Sequence, residues 1–406
     1  MNCRMEGTSI VEITGEQILA RPGDRVVDGA GKWAISGFVN AHTHLPMVLL
    51  RGIADDLPLK AWLEDVIWPI ERRLTAEDVY WCSLLAIAES IRNGTVAVSD
   101  MYFHVDAVAH AVEESGIRAL LSYGIIAANL DTHGQAEIER TVTLAQQWSG
   151  AADGRIQIAV APHSVSTCGE DVWQRVVETA GTLGLRIHTH LAETRSEVED
   201  QRALTGEHPV AYLDRIGVFD VPTVAAHVVH VGEPEIGLLA ANNVRIAHCP
   251  KSNAKLGSGI APIARMLSAG LIVALGTDGA ASNNRLDLVE EMRAACLLQR
   301  ASAEDPTLLP TEAMIVMATD AGRTALGLPR ALTAGGAADI VLIEPDALHA
   351  SPPHDPRSML VHAAAAGDVT DVIVAGQFLM RERELLTVDE ERVKAEVKDR
   401  LHRYVH

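Results

Sequence analysis

From residue 37 onward the chain repeats one pattern: a short β-branched run, a polar loop, then a segment rich in Ala, Leu and Glu. The runs that read as strands are "SGFVNAHTH" (36–44), "TVAVSDMY" (95–102), "ALLSYGII" (119–126) and "IQIAVAPHS" (156–164). Four more are "LRIHTHLAE" (185–193), "TVAAHVVH" (223–230), "VRIAHCP" (244–250) and "IVALGTDG" (272–279). Between strands, "EDVYWCSLLAIAESIRNG" and "GEDVWQRVVETAGTLG" carry apolar residues at helical spacing and stop at Gly94 and Gly184. Eight strands alternating with helices predict an α/β fold closed as a (β/α)8 TIM-type barrel over 37–334. A doubly wound open sheet is the competing architecture, but no GxGxxG follows any of these strands.

Both ends of the chain leave the alternation. "ADIVLIEPDAL" (338–348) and "VTDVIVAGQFLM" (369–380) alternate as strands of a second, smaller sheet. We therefore expect a small β-sandwich domain built from residues 1–36 and 335–406. The charged stretch "VDEERVKAEVKDRLHRYV" is expected as an amphipathic helix, a solvated cover on the surface.

Composition narrows the function classes. The 406 residues are 48% hydrophobic, and apolar runs such as Leu271 to Leu275 reach only strand length, which argues against a membrane span. The N-terminal segment has no apolar core of a signal peptide, so a cytoplasmic location is expected. Five scattered cysteines without a CxxC pair argue against disulfides and against a thiolate zinc site. A net charge of −20 with no basic stripe argues against a nucleic-acid polymer as partner and leaves small nucleosides open.

The chemistry lies at the strand ends. His42 and His44 end the first strand, His163 the fourth, His188 and His190 the fifth with Glu193 beyond, His227 the sixth and Asp278 the eighth. In a barrel these positions share the C-terminal face, where active sites form. Residues two apart on a strand point the same way, so His42 and His44 face one point. Imidazoles with one carboxylate and no thiolate suit zinc first, then Fe2+ or Mn2+. His42, His44, a histidine of the fifth strand and Asp278 form such a set. We choose His190, nearer the strand end, and place His188 in a lower layer. Glu193 is then the proton shuttle for a metal-activated water, and His227 polarises that water.

"GFVNAHTHLP", "HTHLAET", "AAHVVH", "CPKSNAKLGSGIAP" and "LGTDGAASNN" together resemble the amidohydrolase superfamily, in its branch of 5′-methylthioadenosine/S-adenosylhomocysteine deaminases. The resemblance spans residues 34–380. It implies His42, His44, His190 and Asp278 as ligands of one divalent ion per chain. It further implies Glu193 as the group that protonates N1 of the purine, His227 as partner of the attacking water, and Asp278 as acceptor of its proton. By the same resemblance Glu71 in "WPIERRL" contacts the ribose hydroxyls and His163 in "APHSVST" faces the substrate. The implied reaction is hydrolytic deamination of an adenosine-type nucleoside by a homo-dimer or homo-tetramer.

Two departures follow. The segment before "DRVVDGAGKWAISGFVN" is short for the family, so the N-terminal part of the small sheet is expected to be reduced. The loop "AANLDTHGQAE" after the third strand has no arginine to meet the carboxylate of S-adenosylhomocysteine, which favours 5′-methylthioadenosine or adenosine. An amidohydrolase acting on guanine, a pterin, a triazine or an aminofutalosine-type compound would keep the same barrel and metal. A non-catalytic barrel scaffold would be expected to have lost ligands.

Overall fold

The computed structural model describes residues 1–404. Eight strands form one sheet in chain order, each parallel to its neighbour: Phe38–Thr43, Thr95–Tyr102, Arg118–Ile125, Ile156–Pro162, Arg186–Leu191, Thr223–His227, Arg245–His248 and Ile272–Leu275. The first and last strands meet where the Asp278 amide donates to the His42 carbonyl at 3.0 Å. Asn40 also exchanges hydrogen bonds with Thr277, donating from Nδ2 to Oγ1 at 2.7 Å and accepting at Oδ1 from the amide at 3.0 Å. The barrel is thereby closed. Strands two and three are buried along their whole length, as a sheet covered on both faces requires.

Several strands stop earlier than the apolar runs suggest, whereas the second ends at Tyr102 as read. The sixth ends at His227 rather than His230, and the eighth at Leu275 rather than Gly279. Backbone geometry gives the reason: Ala192, His227, Val228 and Asp278, all just past or at strand ends, have φ of 49°, 70°, 47° and 62°. A left-handed φ breaks the pleat and redirects the side chain. Hydrophobicity alone carries no sign of it.

The chain ends meet beside the barrel. Trp33–Ser36, Ile340–Ile343, Val369–Val374, Gln377–Arg381 and Glu384–Leu385 form an antiparallel sheet in that spatial order. Asn2–Glu6 pairs with Ser9–Thr14 as a separate hairpin. The two pack through Ile10, Ala338, Ile340, Leu342 and Ile373, and Ile10 exchanges backbone hydrogen bonds with Gly335 and Gly336 at 2.8 Å each.

The C-terminal helix is solvated on one face and buried on the other. It spans Glu390–Leu401 and buries Val393, Val397 and Arg400. Val397 and Arg400 are three apart and Val393 and Val397 four apart, so one stripe is apolar despite the many charges. That face lies on helix Ala76–Arg92, where the Arg400 guanidinium stands 5.6 Å from the Trp81 ring and bonds Glu77 at 2.6 Å. Val405, the last residue of the expected helical stretch, lies outside the described residues. No described helix is long and apolar enough to cross a membrane.

Candidate active site

The strand-end residues converge at the C-terminal mouth of the barrel. His42 and His44, two apart on the first strand, have ring centroids 4.8 Å apart, and His190 lies 4.8 Å from His42. Asp278 Oδ1 is 3.2 Å from His44 Nε2 and 3.6 Å from His42 Nε2, while His44 Nε2 is 3.3 Å from His190 Nε2. Three imidazole nitrogens and one carboxylate oxygen thus face a common point. His227 also lies close: its ligand atom falls within 4.8 Å of those of His42 and His190.

Each inward nitrogen is aimed by what its ring does on the other side. His44 Nδ1 donates to the Met101 carbonyl at 2.6 Å, and His190 Nδ1 to the His163 carbonyl at 2.8 Å. A neutral ring that gives its Nδ1 proton to a carbonyl presents a lone pair at Nε2. His42 Nδ1 faces His188 Nε2 at 2.8 Å, one layer below, where the sequence placed His188. His42 Nε2 is buried with no hydrogen-bond partner, an orphan that a metal ion would satisfy.

The electrostatics agree with a bound cation. Burial holds the Asp278 carboxyl toward its neutral form, yet the imidazoles of His42 and His44 outweigh it and keep the carboxyl well below its usual range. Burial likewise opposes charge on His44, but Asp278 and the Met101 carbonyl overcome it and lift its pKa to about 9. His42, fully buried, is pushed down to about 3 by desolvation, and His190 falls well below its usual value for the same reason. The ionised Asp278 carboxylate, beside His42 and His190 held neutral and a His44 that draws a proton toward it, marks a point that favours positive charge. Donor chemistry, the orphaned nitrogen and this charge balance all fit a divalent cation.

Around this cluster a cavity of about 900 Å3 opens to solvent. Glu193, His163, Glu71 and His227 all line it, so the structure brings every sequence-selected residue except the deep His42 to its wall. Glu193 is buried, accepts from Ser258 Oγ at 3.3 Å and stands 3.9 Å from His227 Nε2. Desolvation raises its pKa, His227 opposes the rise and Asp278 adds to it. Burial lifts Glu71 to about 7, against the Tyr102 hydroxyl and His44, and it pushes His163 down to about 4. Glu71 sits on Trp68–Glu71, directly after a π-helical turn over Trp62–Ile67 whose Trp62 and Leu63 also line the cavity.

A supporting set was not singled out from the sequence. Ser252 and Ser282 donate to Asp278 Oδ2 at 2.6 and 2.7 Å, and the Gly279 amide donates to Oδ1 at 2.8 Å. Asn253 Oδ1 accepts from His227 Nδ1 at 2.8 Å. Glu197 accepts the amides of Ala192 and Glu193 at 2.9 and 2.8 Å and so shapes the turn that carries Glu193. The signal was present: these serines and Asn253 lie within "CPKSNAKLGSGIAP" and "LGTDGAASNN", small polar residues directly after strands seven and eight.

The sequence profile of the Amidohydrolase family matches residues 33–379, and the chain belongs to that family. It is 48% identical over 383 residues, 94% of this chain and 89% of the relative, to a 5-methylthioadenosine/S-adenosylhomocysteine deaminase of Moorella thermoacetica. Among solved structures, an adenosine deaminase from Xanthomonas campestris with bound zinc is 37% identical, with a TM-score of 0.87 over 92% of this chain and 87% of that one. A zinc complex of atrazine chlorohydrolase from Arthrobacter aurescens is 26% identical, with a TM-score of 0.91 over 98% and 94%.

Proposed function

We propose that this chain is a metal-dependent deaminase converting an adenosine-type nucleoside, 5′-methylthioadenosine or adenosine foremost, to the inosine-type product and ammonia. The observation that carries the reading is Glu193: a buried carboxyl with a raised pKa, beside His227 and across from a cluster of metal donors. Hydrolysis at C6 of adenine needs an activated water and a proton for N1 at the same moment. The names of the Moorella relative and the Xanthomonas enzyme support the same chemistry.

One divalent ion held by His42, His44, His190 and Asp278, zinc before Fe2+ or Mn2+, supplies Lewis-acid activation of water when bound. His227, whose Nδ1 is committed to Asn253, orients the attacking water through Nε2. Asp278 takes one proton from that water. Its oxygen bonds to C6 while Glu193 gives its proton to N1, so negative charge does not build on the ring. The exocyclic nitrogen then takes the proton from Asp278 and its bond to C6 breaks, releasing ammonia. The remaining hydroxyl proton returns to Glu193 as the C6 carbonyl forms. Glu71 holds the ribose hydroxyls and His163 flanks the substrate.

The loop after the third strand offers no arginine, but Lys60 and Arg195 stand at the cavity. The carboxylate of S-adenosylhomocysteine therefore has cations within the same cavity, and that substrate stays in the set to be assayed. The test is ammonia release by metal-loaded protein from adenosine, 5′-methylthioadenosine, S-adenosylhomocysteine, guanine and adenine in parallel. Turnover of the nucleosides supports the reading. Turnover of a free base alone, or of none, rejects it.

A further inference from the structure

His188 is the one histidine of the cluster that is neither at the cavity wall nor among the metal donors, and it is fully buried against His42. His44 and His190 rest their Nδ1 atoms on backbone carbonyls, which only accept, so their tautomers are fixed by the main chain. His42 differs: its Nδ1 meets another imidazole nitrogen, His188 Nε2, which is able to donate or to accept. Left to itself the pair has two arrangements. In one, His42 carries its proton on Nε2 and is useless as a ligand there. In the other, Nδ1 carries it and Nε2 offers a lone pair beside Asp278.

We propose that His188 is the positioning residue that sets the tautomer of His42, with Ser99 anchoring it from below. His188 Nδ1 lies 3.2 Å from Ser99 Oγ. With the His188 proton on Nδ1 and donated to Ser99, its Nε2 is a pure acceptor and draws the His42 proton to Nδ1. Both rings then have one proton, each proton has an acceptor, and the sole lone pair left over points from His42 Nε2 into the donor cluster. Ligand-orienting partners of this kind, when removed, cost roughly 10–100-fold in metal affinity.

This inference rests on the metal site described above, and the experiment separates the two. Zn2+ affinity is measured by chelator competition for the parent chain and for His188→Gln, His188→Leu and Ser99→Ala. His188→Leu fills the space without an acceptor and is expected to weaken binding roughly 10–100-fold. His188→Gln restores an acceptor oxygen and is expected to recover most of the loss. Nitrogen-15 spectra of histidine-labelled, zinc-loaded parent protein are expected to show His42 protonated at Nδ1 and coordinated at Nε2. Equal affinity in His188→Leu and parent overturns the role of His188, as does equal weakening by Leu and Gln, which marks mere packing. If His188→Leu does not fold, Ser99→Ala decides: an unchanged affinity together with an unchanged His42 signature overturns the proposal. A parent chain that binds no divalent ion overturns the metal site and this inference with it.

Discussion

Two buried carboxyls of the same cavity, Asp278 and Glu193, are pushed in opposite directions by their surroundings. Asp278 has the imidazoles of His42 and His44 against one oxygen and two serine hydroxyls on the other, so it stays ionised. Glu193 has one long bond from Ser258 and burial, so it holds a proton more readily. Split environments of this kind assign acid and base roles. Glu193→Gln is therefore expected to lower kcat by about 10²–10⁴-fold while metal content stays at the parent value, measured by ammonia release and metal analysis on the same sample. Loss of metal in that variant would place Glu193 among the ligands instead. Glu71 gives a second prediction. Its pKa near 7 means that the carboxylate form, which in the proposed function would accept from ribose hydroxyls, grows as pH rises through that value. A bound divalent cation moves the limb to lower pH. kcat/KM for nucleosides should thus rise with pH along a limb whose midpoint lies at or below about 7, and in Glu71→Gln the limb should vanish with KM raised. The convergence of these side chains was legible because histidines and acids at strand ends share a face in any barrel. Ser252, Ser282 and Asn253 were not, because a serine or asparagine after a strand is ordinary loop chemistry until its partner is seen.

At the scale of elements, the site depends on how the helices press the strands. Eight strands and their helices were readable from β-branched runs and helical periodicity, whereas the left-handed turns at His227, Val228 and Asp278 were not. Nothing local favours φ of 47° at a β-branched valine; the amide bonds of Val228 to the carbonyls of Leu191 and Ala226, both at 3.0 Å, hold it there. Tertiary contact is not written in a window of sequence. Helix Asp320–Leu326 shows the same dependence. Gly322 lies so near the first strand that an added Cβ would sit 2.7 Å from Val39 Cβ and 3.1 Å from the Val39 carbonyl oxygen. Gly322→Ala should push that helix off the strand, three residues before His42, and lose about 1–3 kcal/mol of stability by denaturation. Metal affinity should fall in parallel. Gly237, within helix Glu233–Ala241, has open space where its Cβ would go. Gly237→Ala should stabilise by about 0.4–1 kcal/mol through the unfolded chain alone, leaving metal affinity unchanged. Equal effects of the two substitutions would remove the packing explanation.

Across the whole molecule, one buried carboxylate joins the small sheet to the barrel. Asp339, at the edge of strand Ile340–Ile343, accepts from Arg118 Nε and Nη2 at 2.9 and 3.0 Å and from Arg323 Nη2 at 2.9 Å. It also accepts from the Ala375 amide at 2.8 Å. Arg118 opens the third barrel strand and Arg323 lies on the helix against the first, while Ala375 follows the neighbouring strand of the small sheet. All three charged groups are buried, so removing the carboxylate strands two guanidinium groups without a counter-charge. Asp339→Ala is expected to lose about 3–5 kcal/mol, whereas cutting the exposed Arg265–Glu233 pair should cost no more than about 1 kcal/mol. The pH dependence follows from the same contacts. Burial opposes ionisation of Asp339, but Arg118 and Arg323 prevail and hold its pKa below the ordinary 3.8. Above 3.8 the carboxyl is ionised in folded and unfolded chains, and its contribution is complete. As pH falls below that value the unfolded chain takes up the proton first, so stability declines until the folded carboxyl is protonated too. In thermal unfolding between pH 2 and 6, roughly the range where carboxyls titrate, the parent should lose this contribution and Asp339→Ala should show a shallower slope. The number of transitions carries the structural meaning. Because Asp339 ties both bodies together, its loss should let the small sheet melt ahead of the barrel, while metal added to the variant raises only the later transition. A single transition that moves as a whole would mean that the apolar contact between sheet and barrel, and not this carboxylate, makes the molecule one cooperative unit.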